Sequence, residues 1–301
     1  MNKALLKLHI SVLLAGATGL FGRLVSLQEL PLVWYRLMLT VVMLIPILYF
    51  QHKLQKLEWK KVMQIAGAGM FLGVHWVLFY ASIKASNVSI GVVCCALIGF
   101  YTAFLDPIIN HHKFYLKDIF FSMLTLTGLL LIFHFDTRYR LGIAIGAVSS
   151  LLAALFSIYS KKVTSKYPEL PTSTFVNYEM IGGLMIISIT LPFYMNLYPE
   201  NSIVPCTTDW IYLIILALVC TIGQYLLQIG ALKKVSTFTM NLSYNLEPVY
   251  SIILAMILFG ESQELNFSFY VGLALIVCSV VVQNLIASRP SKSPLKGDFK
   301  D

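Results

Sequence analysis

Apolar runs long enough to cross a bilayer recur from one end of this sequence to the other, and they bound what it can fold into. About ten are readable, near residues 8–26, 31–50, 62–83, 87–110, 118–135, 141–160, 172–195, 210–232, 236–259 and 267–287. A spanning helix needs about 20 mostly apolar residues. In lipid every backbone polar group must be satisfied within the helix, so such runs predict helices and not loose coil. Composition agrees: 58% of residues are hydrophobic and 12% charged, where a soluble domain carries about 25% charged residues. The mean hydropathy is +0.78. Most connections are too short to form an extramembrane domain, so sequential helices must lie side by side. Pro31 opens the second run, where a proline is tolerated. The longest gap, about 196–209, carries Pro199 and Pro205, and the polar tail 288–301 reads as disordered.

The net charge of +8 is topological in origin. With the N-terminus placed inside, 17 of the 22 Lys and Arg fall in inner segments, and the other five are Arg23, Arg36, Lys84, Arg138 and Arg140. That asymmetry puts both termini in the cytoplasm and requires an even number of spans. It also argues against nucleic acid as a partner, because the basic residues form no stripe with interleaved aromatics. Lys3 and Lys7 before an apolar run resemble a signal peptide, but so many later spans favour an uncleaved first helix. Of five cysteines only Cys206 sits in a loop, and their spacing suggests neither a disulfide framework nor a metal site.

The two halves are alike. Trp34-Tyr35-Arg36-Leu37 aligns with Asn177-Tyr178-Glu179-Met180, and Leu105-Asp106-Pro107 echoes Leu246-Glu247-Pro248. Each half holds five spans, an odd number, so the halves must insert in opposite directions. The expected fold is an all-α membrane protein of ten transmembrane helices, built as two inverted five-helix repeats over 1–137 and 138–287. Inverted repeats of this kind characterise secondary transporters, whose sites lie at midplane between the repeats.

Ionisable groups inside spans are the first candidates for such a site. Glu247 lies about eleven residues into its run, roughly 17 Å deep in a hydrocarbon core about 30 Å thick. A carboxylate there costs about 2.5–3.5 kcal/mol on insertion scales, so it either lines a polar pathway or is held by neighbouring helices. Pro248 loosens the backbone beside it. Asn241, Tyr244 and Glu247 share one arc of that helix, with Asn245 next to it. Arg36 and Glu179 are repeat mates, expected near opposite faces, either gating the two mouths or anchored at the interfaces. His75 and Trp76 in the third span match Gln224 and Tyr225, with Gln228 one turn on. Tyr80, Tyr101, Tyr244 and Trp34 offer aromatic walls for an organic solute or simple packing, and Tyr35 beside Arg36 is a further pathway candidate. Small residues at Gly16, Gly19 and Gly22, and at Gly67 and Gly69, predict close helix contacts.

The 5 + 5 span pattern, the basic inner loops, Trp34-Tyr35-Arg36, the Ala81–Ser89 turn and the run from Leu246-Glu247-Pro248 through Phe259-Gly260-Glu261 resemble the EamA group of the drug/metabolite transporter superfamily. The resemblance covers about residues 5–287. The first half departs from it, with His111-His112-Lys113 where Gly-Glu would follow the fourth span. It implies a carrier or exporter of a small organic metabolite such as an amino acid or an amphipathic compound, acting as monomer or homodimer in the cell membrane without a cofactor. The alternative is a flippase for lipid or lipid-linked substrates on the same fold. No zincin, nucleophile-elbow or phosphate-loop motif is present, which argues against an enzyme and leaves a gradient, possible through proton exchange at Glu247, as the driving force.

Overall fold

A computed structural model describes residues 3–111, 113–135, 139–235, 240, 243–244, 246–263 and 265–287, and every regular element among them is helical. In chain order these are α1 (Lys3–Leu24), α2 (Glu29–Phe50), α3 (Trp59–Lys84), α4 (Val88–Asn110), α5 (Leu116–Phe135), α6 (Arg140–Lys166), α7 (Thr172–Leu197), α8 (Thr207–Leu232), α9 (Glu247–Phe259) and α10 (Phe267–Ala287). Seven of them, α1–α4 and α6–α8, are long and apolar enough to cross a bilayer, and the apolar stretches Ile119–Leu131, Glu247–Phe259 and Phe267–Ser279 are shorter. The tail 288–301 lies outside the described residues.

Three helices depart from regular geometry, each for a local reason. In α4 a 3₁₀ turn at Cys94–Ala96 tightens the middle. In α8 a π segment at Leu218–Gly223 widens it. The third departure corrects the sequence reading of Glu247. The chain turns at Leu246, and α9 starts anew at Glu247 with Pro248 in its first turn. A proline there removes an N–H that has no helical acceptor in any case, so it opens a helix where the sequence suggested a weak point inside one.

Packing repeats when the halves are exchanged. The contacts of α3 with α6 and α7 are matched by those of α8 with α1 and α2. Likewise α4 meets α6 as α9 meets α1, while α2 packs on α7, α4 on α9 and α5 on α10. Glycine lets α3 and α7 touch backbone to backbone. A Cβ on Gly69 would lie 1.8 Å from the Glu179 carbonyl oxygen, and one on Gly182 would lie 2.0 Å from that of Ala66. On α1, added Cβ atoms at Gly16, Gly19 and Gly22 would meet Tyr250, Val92 and Tyr80 within 2.8 Å. Gly67, by contrast, has nothing within 4 Å.

The two ends of the bundle are tied differently. At one end Glu261, fully buried, sits on the N-terminus of α4: Oε1 accepts from Val88 N (3.1 Å) and Oε2 from Ser89 N (2.9 Å) and Ser89 Oγ (2.6 Å). A carboxylate at that position satisfies orphan N–H groups and meets the positive end of the helix dipole. Arg23 at the end of α1 completes the cluster, 3.0 Å from Glu261. Asp209 at the start of α8 accepts from Ser26 N (2.8 Å) and Ser26 Oγ (2.6 Å) in the α1–α2 turn. At the other end Lys161 donates to the Leu232 and Val235 carbonyls at the C-terminus of α8 (2.7 and 2.9 Å), and Thr174 donates to the Lys53 carbonyl (2.8 Å).

The radial pattern inverts that of a soluble bundle. Large apolar side chains such as Val42, Ile45, Phe193 and Ile257 face outward, whereas Arg36, Thr40, Ser149, Ser150, Glu179 and Gln224 are buried. Such a surface suits hydrocarbon.

Candidate functional site

Inside the bundle a cavity of about 60 Å³ is lined from both halves of the chain. By volume it holds a few water molecules, at about 10–15 Å³ each. From the first half come Ala15 and Thr18 of α1, Arg36 of α2, Leu72, His75, Trp76 and Phe79 of α3, and Cys95 and Ile98 of α4. The second half supplies Ala153, Phe156 and Ser157 of α6, Gln224, Tyr225 and Gln228 of α8, and Tyr244 with Glu247. Among the described residues, the paired helices α5 and α10 contribute nothing to this lining.

Arg36 is held from three sides. Its side chain is 1% exposed. Nε donates to Thr221 Oγ1 (2.8 Å), Nη1 to Tyr80 Oη (3.1 Å) and Nη2 to the Cys220 carbonyl (3.4 Å). Its guanidinium also lies 3.5 Å from the centroid of the Trp76 ring, a geometry that favours a cation. Two of the three acceptors come from the π segment of α8. A π turn shifts the i→i−4 ladder and so releases carbonyls for other donors, and Thr221 Oγ1 in turn donates to Leu216 O, five residues back (2.8 Å). The sequence reading placed Arg36 near a membrane face; here it is wholly enclosed by protein.

Glu247 is the cavity's carboxylate. It occupies the first turn of α9, where the helix dipole favours a negative charge. Among the described residues it has no side-chain hydrogen bond and no ion pair within 4 Å. Arg36, the cavity's cation, thus has three of its five N–H groups engaged by the protein, while Glu247 is left open.

A chain of neutral polar groups completes the lining. Gln224 Nε2 donates to Tyr244 Oη (2.7 Å) and to Gln228 Oε1 (3.0 Å), and Tyr244 Oη donates to Ser11 Oγ (3.1 Å). His75 Nδ1 is 3.0 Å from the Ser149 carbonyl, a pure acceptor, which assigns the ring proton to Nδ1. Ser149 Oγ returns a bond to the His75 carbonyl (2.9 Å). Aromatic faces come from Trp76 and Tyr225, edge to face at 5.5 Å, with Phe156 6.1 Å from Tyr225.

Of the candidates drawn from sequence, Arg36, His75, Trp76, Gln224, Gln228, Tyr244 and Glu247 converge on this cavity. Glu179, Tyr101 and Tyr35 lie elsewhere. Glu179 is fully buried, accepts from Ser160 Oγ (2.6 Å) and, among the described residues, keeps Oε2 without a hydrogen-bond partner. Tyr101 packs edge-on against Phe100 at 5.5 Å, and Tyr35 lies between Trp34 (5.0 Å) and Trp210 (5.4 Å). Asn241 and Asn245 lie outside the described residues. Tyr225, the sequence counterpart of Trp76, lines the cavity too, and Thr18, Ser157 and Phe156 do so without having been singled out. Thr18 lies on the glycine-rich helix α1, so proximity to other signals was its only mark in the sequence.

Known proteins place this architecture. The EamA-like transporter family matches the chain twice, over residues 2–134 and 140–285. An uncharacterized transporter of Bacillus subtilis, YxxF, is 23% identical over 307 residues, covering 100% of this chain and 94% of its own. An uncharacterized transporter of Schizosaccharomyces pombe is 26% identical over 222 residues, covering 68% of this chain and 62% of its own. A crystal structure of a protein with 17% identity superposes with a TM-score of 0.69 over 95% of this chain and 98% of that one, which establishes a shared fold. Two family matches that together take in nearly every residue, on a bundle whose contacts repeat between its halves, identify the chain as a member of the EamA-like transporter family.

Proposed function

We propose that this protein is a secondary carrier, exporting a small organic metabolite such as an amino acid or an amphipathic compound by alternating access. In this reading ten helices span the cell membrane as two inverted five-helix units, 1–137 and 138–287, with both termini in the cytoplasm. The observation that carries it is the cavity between the halves, in which Glu247 faces Arg36, His75, Gln224 and Gln228 within aromatic walls. A free carboxylate at a helix start is suited to exchange a proton for a donor group of the solute, and the protein-held Arg36 to keep the cavity's charge near balance. The orientation is supported by the lysine-rich connections that meet at one end of the bundle, where Lys53, Lys161 and Lys166 make their contacts.

The test is uptake of labelled amino acids and cationic drugs into proteoliposomes, with and without a pH gradient. Glu247→Gln is expected to abolish the gradient-driven component, and Lys56→Gln in a loop to leave it intact. Equal transport by the two variants would remove Glu247 from the pathway. Movement of lipid probes alone between leaflets would make the protein a flippase.

A further inference from the structure

On the outside of the bundle, where α3 crosses α6, a groove of about 540 Å³ is lined by Trp59, Lys60, Met63, Gln64, Gly67, Phe71 and Tyr159. It is separate from the central cavity and shares no residue with it. Its body is apolar. Met63 is 46% and Tyr159 41% exposed, and the Phe71 and Tyr159 rings stand 6.2 Å apart at its far end. Gly67 makes the groove deep: a Cβ there meets nothing within 4 Å. This glycine brings no helix close, so helix packing does not account for it.

The mouth of the groove is cationic. Lys60 stands in the first turn of α3 and, among the described residues, has neither a hydrogen bond nor an ion pair. Its neighbours are engaged: Lys61 lies 3.9 Å from Glu169, and Lys166 donates to Gln64 (3.1 Å). Glu58 precedes the helix, but Lys53, Lys56, Lys60 and Lys61 outnumber it in this connection. Trp59, 72% exposed, marks the level at which the chain enters the membrane. A free ammonium at headgroup depth, above an apolar slot that runs along the lipid-facing side, matches one kind of molecule.

We infer that this groove binds an anionic phospholipid, with its phosphate at Lys60 and an acyl chain laid over Gly67 toward Phe71 and Tyr159. Basic pockets between spanning helices on the inner side capture acidic headgroups in this way. The inference rests on the proposed orientation for the leaflet it names, but not on the transport reading.

Native mass spectrometry of the purified protein with phosphatidylglycerol or phosphatidylcholine tests it. The wild-type chain is expected to retain the anionic lipid over the zwitterionic one by roughly fivefold, the preference one lysine confers at a charged headgroup. Lys60→Gln should bring the two lipids near parity. Gly67→Leu should fill the slot and reduce retention of both. Should Gly67→Leu fail to fold, Lys60→Gln alone decides. Equal retention of the two lipids by the wild-type chain would overturn the proposal. So would retention that neither variant alters, thermal stabilisation by inorganic phosphate equal to that by the lipid, or a dimer that Gly67→Leu splits, since a second copy would then occupy the groove. Selective lipid retention together with no solute transport by the wild-type chain in proteoliposomes would sink the carrier reading and leave this one standing.

Discussion

Arg36 shows how a single residue can be both chemically visible and spatially hidden in a sequence. A cation inside an apolar run is conspicuous, but its depth depends on acceptors that another helix supplies. Those acceptors, Thr221 and the Cys220 carbonyl, exist because α8 takes a π turn, which hydrophobic periodicity does not reveal. Only a planar fork reaches Thr221, Tyr80 and Cys220 together, so Arg36→Lys is not conservative here. That variant is expected to lose at least one charge-assisted bond and about 1.5–3 kcal/mol of stability, read as a lower Tm in detergent by tryptophan fluorescence. An unchanged Tm would mean that the three bonds are not made. Glu247 was visible for the same reason as Arg36, and its true context was missed for a related one. Proline at position 248 is compatible both with a kinked helix and with a new helix start, and the choice is made by tertiary packing of α9 on α1 and α4.

At the level of helices, the glycines divide by face. Gly67 and Gly69 look equivalent in a list of small residues, yet two positions along a helix turn the side chain by about 200°. Gly69 therefore faces the α7 backbone, and Gly67 the open groove. The consequence is measurable. Overpacking a tolerant core costs about 1–3 kcal/mol, but the atom 1.8 Å from a Gly69 Cβ is a backbone carbonyl oxygen and cannot rotate away. Gly69→Ala is expected to exceed that range and to give little folded protein by size-exclusion chromatography. Gly67→Ala should fold like the wild type, within about 0.5 kcal/mol, since it touches nothing and replaces a poor helix former. Similar yields for the two would mean that α3 and α7 are not in backbone contact. The presence of the helices was readable because runs of apolar residues dictate it. Which face of each helix meets which neighbour was not, because in lipid both the outer and the inner face are largely apolar and the amphipathic signal of a soluble helix is lost.

For the whole molecule, the recurring apolar runs and the likeness of the two halves carried the all-helical, two-repeat architecture, while the contacts that close the ends came only from the fold. Arg23, Glu261 and the start of α4 form one tie, and Ser26 with Asp209 forms another, so the α1–α2 turn bridges both halves at the end opposite Lys161. A carrier that opens alternately must break ties of this kind at one end at a time. Cys95 lines the central cavity and is 6% exposed, which makes it a native reporter of access. In a background where Cys206 and Cys278, the exposed cysteines, are serine, Glu261→Ala removes the acceptor shared by Val88, Ser89 and Arg23. Labelling of Cys95 by an impermeant thiol reagent added outside intact cells is then expected to rise. Glu261→Gln, which retains one acceptor oxygen but offers N–H groups to N–H groups at the other, should fall between. Unaltered labelling in both variants would show that the Glu261 tie does not control entry from that end, and the barrier over the cavity would have to be sought in the packing of Tyr80 and Gly22 instead.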